Sequence, residues 1–168
     1  GPALAFTALA FGGGAHGHRA DRQRLDRRGL AGQQGSGVLE QTFECFRALA
    51  HKGRAQAAIN TIAWLGPCIG PTAFEVGAEV RAAFVRSHAG AADCFTTGTP
   101  GKYFADLAGL ARLRLQALGI TRIFGNNSSA AWCTVGNASR FFSHRRDAGV
   151  GGNGFGTTGR MAACIWLE

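Results

Sequence analysis

The chain has 168 residues, of which 46% are hydrophobic. This length and composition are typical of one domain with a sizeable core, and we expect a single domain over residues 1–168. No uncharged apolar run reaches the roughly 18–20 residues that a membrane-spanning helix needs, so no membrane association is expected. The formal net charge of +8 suits an anionic partner such as phosphate or a nucleotide. Nucleic acid is disfavoured as a partner, because only the charge would argue for it.

The cysteines are widely spaced, odd in number and never arranged as a CxxC pair. They are Cys45, Cys68, Cys94, Cys133 and Cys164. This pattern excludes a disulfide framework and a zinc ribbon. We expect most of them to be reduced, small, buried residues, and we expect a cytoplasmic setting.

The first half of the chain predicts a strand, an irregular segment, a helix and a second strand. Residues 3–11 are apolar and predict a buried strand, whereas residues 12–37 show no apolar period. Apolar side chains at spacings of three and four predict a helix that Ser36 caps and that runs to about Ala50. The run 59–65 predicts a strand that ends at Gly66-Pro67, followed by a loop over residues 66–71.

The second half alternates helices with short apolar runs. A helix is predicted over residues 75–86 and a loop over residues 87–101. Asp106 is a suitable N-cap for a helix over residues 107–118, and Gly119 is suited to end it. Further strands are predicted over residues 120–124, from Phe141-Phe142, and over residues 162–167. Helices and strands are mixed without regular alternation, which predicts an α+β fold.

Four segments, in the same order along the chain, resemble the YfiH/PgeF family, also described as the laccase-domain or multicopper polyphenol oxidase family. They are residues 63–71 with 74–80, residues 106–112, residues 133–134 with 140–147, and residues 158–162 with 165–167. Each segment is a weak signal alone, but the four together are specific. The chain is similar to the C-terminal two-thirds of the family domain, and residues 9–36 are irregular and unlike the family.

The resemblance implies an α+β domain in which a mixed β-sandwich is flanked by helices, related to the cysteine hydrolases of the cytotoxic-necrotising-factor type. It also implies a cofactor, zinc or copper, held by two His and one Cys. Such a set leaves a fourth position on zinc open for water or substrate. The implied enzyme is a purine nucleoside phosphorylase with adenosine deaminase activity, whose substrates are a purine nucleoside and phosphate.

Two other functions stay open at this point. One is copper-dependent polyphenol oxidase (laccase) activity, with phenolic compounds as substrates. The other is an inactive remnant of the family that acts as a binding or structural domain, including as a homodimer.

The metal ligands are expected in the part of the family pattern that this chain matches least. One ligand motif is expected upstream of these residues, and Leu9 and Ala10 stand where a second motif has Asp-Cys. For the third motif, one register places Arg24 at the His position and another places His16 near it. His16 is therefore the candidate metal ligand, and an exposed loop His is the alternative. His88 and Cys94 also lie in motif-like surroundings, but at the wrong place in the order of segments.

Six further residues are candidates for catalysis or binding. Cys68 follows a predicted strand and is a nucleophile, a residue near the metal, or a half-buried packed residue. Glu75 is either a general acid or base or an anion that stabilises a helix N-terminus. Guanidinium groups suit phosphate, and the candidate phosphate-binding residues are Arg28, Arg145, Arg146 and Arg160. Because Arg145 and Arg146 are adjacent, one would face inward and one outward in a strand.

Overall fold

In a computed structural model of the protein, the structure describes residues 4–8, 37–49, 53–147 and 158–159. The strands are β1 (Leu4–Ala8), β2 (Thr61–Leu65), β3 (Glu75–Gly77), β4 (Phe95–Thr97), β5 (Lys102–Ala105) and β6 (Arg122–Gly125). The α-helices are α1 (Val38–Leu49), α2 (Arg54–Asn60), α3 (Ala78–Ser87), α4 (Leu107–Ala117) and α5 (His144–Asp147). Short 3-10 helices cover Ala89–Cys94 and Ala130–Trp132. None of the helices within these ranges is long and apolar enough to cross a membrane.

A three-stranded parallel sheet, in the order β1-β2-β6, forms the first half of the fold. Ala63 of β2 lies beside Phe6 of β1 and Ile123 of β6. One face of this sheet packs on α1 and α4. The buried residues of this first core are Leu39, Phe43, Ala57, Ala58, Ala63, Leu65, Cys68, Ala108, Ala111, Leu115, Leu118 and Ile120.

A three-stranded antiparallel sheet, in the order β3-β5-β4, forms the second half. A tight turn joins β4 to β5, in which the amide of Lys102 donates to the carbonyl of Thr99 at 2.8 Å. Gly101 has a φ of 78°, the positive value that the third residue of a type II turn requires. Pro100 precedes it, and proline is common at that position of the turn. The buried residues of this second core are Val76, Phe84, Ala91, Phe95, Ala105 and Leu110.

Helix α4 contributes to both cores and has the ends that its sequence predicts. Ala111 and Leu115 lie in the first core, whereas Leu110 lies in the second. The side chain of Asp106 accepts a hydrogen bond from the amide of Gly109 at 2.9 Å, so the predicted N-cap is confirmed. Gly119 has a φ of 86°, the left-handed conformation expected of a residue just past a helix. The α+β class is confirmed, and the β-sandwich arrangement stays a prediction.

Several predicted boundaries are wrong. The run 59–65 is split, because α2 continues to Asn60 and the strand begins at Thr61. Glu75 lies in β3 rather than in a helix, and α3 starts only at Ala78. The segment 87–101, predicted as a loop, contains a 3-10 helix and β4. The predictions for Ser36, for residues 9–36 and for residues 162–167 fall outside the described residues.

The strand predicted to begin at Phe141-Phe142 is also wrong. These two residues lie outside regular secondary structure, and the short helix α5 follows them. The reason is visible in the hydrogen bonds: the amide of Phe141 donates back to the carbonyl of Asn137 at 3.0 Å, which curls the chain into a turn. Arg145 and Arg146 therefore lie in a helix, and the strand argument for their directions does not apply.

Candidate functional site

The loops that follow β2 and β6 leave the same edge of the parallel sheet. In sheets of this kind, ligands bind beyond the carboxyl ends of the strands. Asn126, which is 1% exposed, holds the two loops together. Its side-chain nitrogen donates to the carbonyl of Gly66 at 3.1 Å and to the Sγ of Cys68 at 3.3 Å. Its side-chain oxygen accepts from the amide of Ser128 at 2.8 Å.

The loop over residues 66–71 is in turn bonded to the segment around Cys133. The amide of Cys68 donates to the carbonyl of Trp132 at 3.2 Å, and the amide of Thr134 donates to the carbonyl of Cys68 at 2.9 Å. The amide of Gly70 donates to the Sγ of Cys133 at 3.3 Å. A Cβ at position 70 would lie 2.9 Å from the Cβ of Cys133, so a glycine is required at this close approach.

Cys68 lies inside this network and is 7% exposed. Burial raises the pKa of its thiol to about 11, although the hydrogen bond from Asn126 opposes that effect. The nucleophilic form of cysteine is the thiolate. A buried thiol with this pKa is protonated at neutral pH, which favours the packing interpretation of Cys68 over the nucleophile.

Glu75 lies in β3, and its carboxylate is held by the turn between β4 and β5. The hydroxyl of Thr99 donates to it at 2.9 Å, and the ammonium of Lys102 lies 3.4 Å away. The hydrogen bond from Thr99 is the main cause that lowers the pKa of Glu75. The group is therefore an anion and a hydrogen-bond acceptor at neutral pH. The acidic residue in the first turn of α3 is Glu79 rather than Glu75.

Arg145 is exposed and is oriented by two contacts. Its guanidinium lies over the ring of Phe74, 5.6 Å from the ring centroid. One of its nitrogens donates to the backbone carbonyl of Glu75 at 3.4 Å. Stacking of this kind holds the planar guanidinium while leaving hydrogen-bond donors for an anion.

Arg146 has a different environment, because its donors are used within the chain. Its guanidinium donates to the carbonyls of Thr134 at 2.7 Å and Phe141 at 3.0 Å. Its Nε lies 2.7 Å from the carboxylate of Asp147. This pattern favours the salt-bridge interpretation of Arg146 over the phosphate clamp.

Asp147 completes the same network at the end of α5. Its carboxylate accepts from the hydroxyl of Thr158 at 2.6 Å and from the amide of Ser143 at 3.0 Å. The hydrogen bond from Thr158 is the main cause that lowers the pKa of Asp147 from 3.8 to about 2.

Four candidate residues from the sequence thus lie on two connected segments. Cys68 and Glu75 lie within residues 66–75, and Arg145 and Arg146 lie within residues 133–147. His16, Arg28 and Arg160 fall outside the described residues. Sequence reasoning missed Asn126, although a run of Asn and Ser directly after a strand is typical of a loop that carries function.

The donors needed for the expected metal are not assembled within the described ranges. There, no group of three or more His, Cys, Asp or Glu side chains could hold a metal ion. Cys94, at the end of the 3-10 helix that follows His88, has its pKa raised mainly by burial. The described residues do not supply the ligand set of two His and one Cys that the family resemblance implies.

Comparison with known proteins identifies the family to which this chain belongs. The family described as multi-copper polyphenol oxidoreductase laccase matches residues 27–168. The chain belongs to this family.

Relatives of this chain include proteins named purine nucleoside phosphorylase. The chain is 46% identical over 132 residues to the purine nucleoside phosphorylase YfiH of Shigella flexneri, covering 79% of this chain and 46% of the relative. It is 42% identical over 142 residues to a purine nucleoside phosphorylase of Pseudomonas aeruginosa, covering 84% and 49%. The resemblance to YfiH proteins is therefore confirmed. The chain spans about half the length of these relatives.

Among solved structures, the chain is similar to YlmD from Geobacillus stearothermophilus. The TM-score is 0.55 with 25% sequence identity, and the match covers 73% of this chain and 42% of YlmD. This match supports the arrangement of helices and strands.

Proposed function

We propose that this chain carries the phosphate- and nucleoside-binding part of a purine nucleoside phosphorylase. The observation that carries the proposal is the exposed guanidinium of Arg145, which is stacked on Phe74 beside the loop that leaves the parallel sheet. The names of the relatives support the choice of substrate class.

The reaction sets what the site must do. An oxygen of inorganic phosphate attacks C1′ of the nucleoside, the bond from C1′ to the base nitrogen breaks, and the base leaves with that electron pair and takes up a proton. The products are ribose 1-phosphate and the free base. Arg145 binds two phosphate oxygens with parallel N–H donors, which fixes the phosphate and neutralises part of its charge.

The carboxylate of Glu75 accepts a hydrogen bond from a ribose hydroxyl in this proposal. Glu75 directly follows Phe74, on whose ring Arg145 stacks. The guanidinium of Arg145 also donates a hydrogen bond to the backbone carbonyl of Glu75. Because its pKa is lowered, Glu75 is not the group that protonates the leaving base. Arg146 and Cys68 act as positioning residues that hold the segments on which Arg145 and Glu75 lie.

The remaining parts of the expected site stay predictions. These are His16 as a metal ligand, Arg28 and Arg160 as phosphate-binding residues, zinc or copper as the cofactor, and the deamination of adenosine. The family resemblance supports these predictions. His16, Arg28 and Arg160 lie outside the described ranges. The cofactor and the deamination depend on a metal, for which the described residues hold no ligand set.

The test is release of adenine from adenosine by the purified 168-residue protein, measured by liquid chromatography with and without inorganic phosphate. We expect phosphate-dependent release of adenine together with ribose 1-phosphate, and a loss of at least tenfold in Arg145→Ala. The matched control is Arg140→Ala, since Arg140 is also exposed and also stacks on an aromatic ring, that of Phe141 at 5.2 Å. No release in the presence of phosphate, zinc and copper would contradict the proposal.

Polyphenol oxidation is the second candidate, because the matching family is described as a laccase. It predicts oxygen consumption with a phenolic substrate after copper loading, independent of phosphate. Substitution of Arg145 would leave that activity unchanged, which separates the two candidates.

A further inference from the structure

Helix α3 brings a second stacked guanidinium to the antiparallel sheet. The guanidinium of Arg81 lies over the ring of Tyr103, 5.1 Å from the ring centroid. Its Nε is buried and has no hydrogen-bond partner among the residues that the structure describes. A buried donor without a partner is uncommon in proteins and indicates that a water, an ion or a ligand supplies the acceptor. Arg81 is therefore a candidate contact for a ligand.

The register of the antiparallel sheet places Tyr103 and Phe74 on the same face. Val76 of β3 pairs with Tyr103 of β5, and the amide of Ala105 donates to the carbonyl of Phe74 at 2.9 Å, which continues this pairing. Both rings pack against the second core. Phe74 and Tyr103 are thus diagonal neighbours, for which Cα atoms are about 7–8 Å apart. The two stacks of a guanidinium on an aromatic ring are therefore built on neighbouring rings of one face.

Within the described ranges, these two guanidiniums have no carboxylate partner. Neither Arg81 nor Arg145 forms a salt bridge there. Glu79, the acidic residue in the first turn of α3, has its carboxylate against Gly77. Stacking on aromatic rings holds both guanidiniums in place before a ligand arrives. Two such cations on one face suit a ligand with two phosphate groups, because guanidinium binds phosphate with parallel donors.

We propose that Arg81 binds a 5′-phosphate of the substrate, so that this site takes a nucleoside 5′-monophosphate. The inference rests on the proposed function, in which Arg145 binds the inorganic phosphate that attacks C1′. In such a substrate a single ribose separates C1′ from the 5′-phosphate, which suits two guanidiniums held on neighbouring rings. Arg81 is then a residue that determines specificity.

The reaction itself is the same as for a nucleoside. An oxygen of inorganic phosphate forms a bond to C1′, and the bond from C1′ to the base nitrogen breaks. The base leaves with that electron pair and takes up a proton from solvent. The products are ribose 1,5-bisphosphate and the free base.

The test is isothermal titration calorimetry of the 168-residue protein with adenosine 5′-monophosphate, adenosine and inorganic phosphate. We expect the wild type to bind adenosine 5′-monophosphate at least tenfold more tightly than adenosine. Arg81→Ala should remove that preference, while its affinities for adenosine and for inorganic phosphate stay within twofold of the wild type. The matched control is Arg86→Ala, since Arg86 is exposed in the last turn of the same helix, and this variant should bind all three ligands as the wild type does.

A second variant separates loss of the phosphate contact from loss of the fold. Arg81→Gln keeps most of the stem over Tyr103 without the charge, and it should lose the preference while circular dichroism stays unchanged. Equal affinity of the wild type for adenosine and its 5′-monophosphate, or equal losses in Arg81→Ala and Arg86→Ala, would overturn the inference. Weaker binding of inorganic phosphate by Arg81→Ala would also overturn it, because it would assign Arg81 to the attacking phosphate.

Release of adenine distinguishes failure of this inference from failure of the proposed function. If the wild type releases adenine from adenosine but shows no preference for the 5′-monophosphate, only the role of Arg81 is contradicted. If the 5′-monophosphate binds through Arg81 but neither compound is cleaved in the presence of phosphate, the proposed function is contradicted and the contact of Arg81 with the 5′-phosphate stands.

Discussion

The two sheets of this protein differ in the exposure of several of their polar groups, although Arg122 of the parallel sheet is exposed as well. Around the parallel sheet, Arg114 and Asn126 are each 1% exposed, and both have polar partners within the chain. Around the antiparallel sheet, Lys102 and Arg145 are exposed, and Glu75 is only half-buried. The second region therefore has charged groups that an anionic ligand could reach.

We infer that the buried polar groups around the parallel sheet stabilise the fold, whereas the exposed charged groups around the antiparallel sheet are available to a ligand. A buried ion pair or amide is costly to break, because the partner left behind stays desolvated. An exposed ion is well solvated, so its removal changes folding little. Substitutions of the buried polar groups around the parallel sheet should therefore lower stability, and substitutions at Arg145 should lower ligand binding.

The largest effect is expected at the ion pair between α1 and α4. The Nε of Arg114 lies 2.7 Å from the carboxylate of Glu40, and the arginine side chain is 1% exposed. Glu40→Ala leaves a buried charge unpaired and should lower the free energy of unfolding by about 3–5 kcal/mol. The matched control is Glu44→Ala on the same helix. Glu44 pairs with Arg47, and each of these two side chains is 39% exposed. This substitution should lower the free energy of unfolding by less than about 1 kcal/mol. Urea denaturation measures both, and equal losses would contradict the difference.

The next effect is expected at Gly125, where β6 ends. Its φ is 85°, and a Cβ there would lie 2.3 Å from the backbone oxygen of Leu65. Gly125→Ala should lower the free energy of unfolding by about 2–3 kcal/mol, since both the backbone conformation and the approach of the strands are affected. Gly101→Ala is the control, because its φ is 78° but nothing lies within 4 Å of the added Cβ. Equal losses in the two variants would contradict this expectation, because they would show that the close approach of Leu65 to Gly125 does not contribute to the loss of stability.

The next expected effect is a difference in stability between substitutions of the two adjacent arginines of α5, Arg145 and Arg146. Arg146→Ala removes hydrogen bonds to the carbonyls of Thr134 and Phe141 and should lower the free energy of unfolding by about 2 kcal/mol. Arg145→Ala should change it by less than about 0.5 kcal/mol, as for other exposed positions. Thermal unfolding of the two variants checks this order. A larger loss for Arg145→Ala would show that Arg145 is the structural residue of the pair.

The smallest effect is a dependence of stability on acid pH. The pKa of Asp147 is about 2 in the folded protein against an ordinary 3.8, so the folded state favours the ionised form. This contribution is present above about pH 4 and is lost as the pH falls toward 2. Asp147→Asn should therefore flatten the plot of unfolding free energy against pH between 4 and 2. A slope unchanged from the wild type over that range would contradict the assignment.

The sequence predicts helix α4 better than it predicts helix α2 or strands β3 and β4. Helix α4 has strong local signals at both ends, Asp106 and Gly119, and both are confirmed. The end of helix α2 was assigned to the predicted strand because Ile59 is β-branched and the β-branched residues Thr61 and Ile62 follow it closely. Residue preference alone does not place the boundary between the two elements. The turn at Pro100-Gly101 did carry a local signal for the hairpin of β4 and β5.

The candidate site was only partly predictable for a related reason. Sequence patterns nominate Arg145 and Arg146 together, but only tertiary contacts separate them, since the guanidinium of Arg146 has four partner residues within the chain whereas Arg145 is exposed. The low pKa of Glu75 depends on Thr99 and Lys102, which lie more than twenty residues away along the chain. Local spacing does not encode such contacts.

The measurement that tests the central claim most directly is phosphate binding by isothermal titration calorimetry at an ionic strength of about 0.15 M, where long-range effects of the net charge are screened. The claim predicts saturable binding to the wild type and to Arg140→Ala, and binding at least tenfold weaker to Arg145→Ala. Equal binding by the two variants, or none by the wild type, would contradict the assignment of phosphate to Arg145.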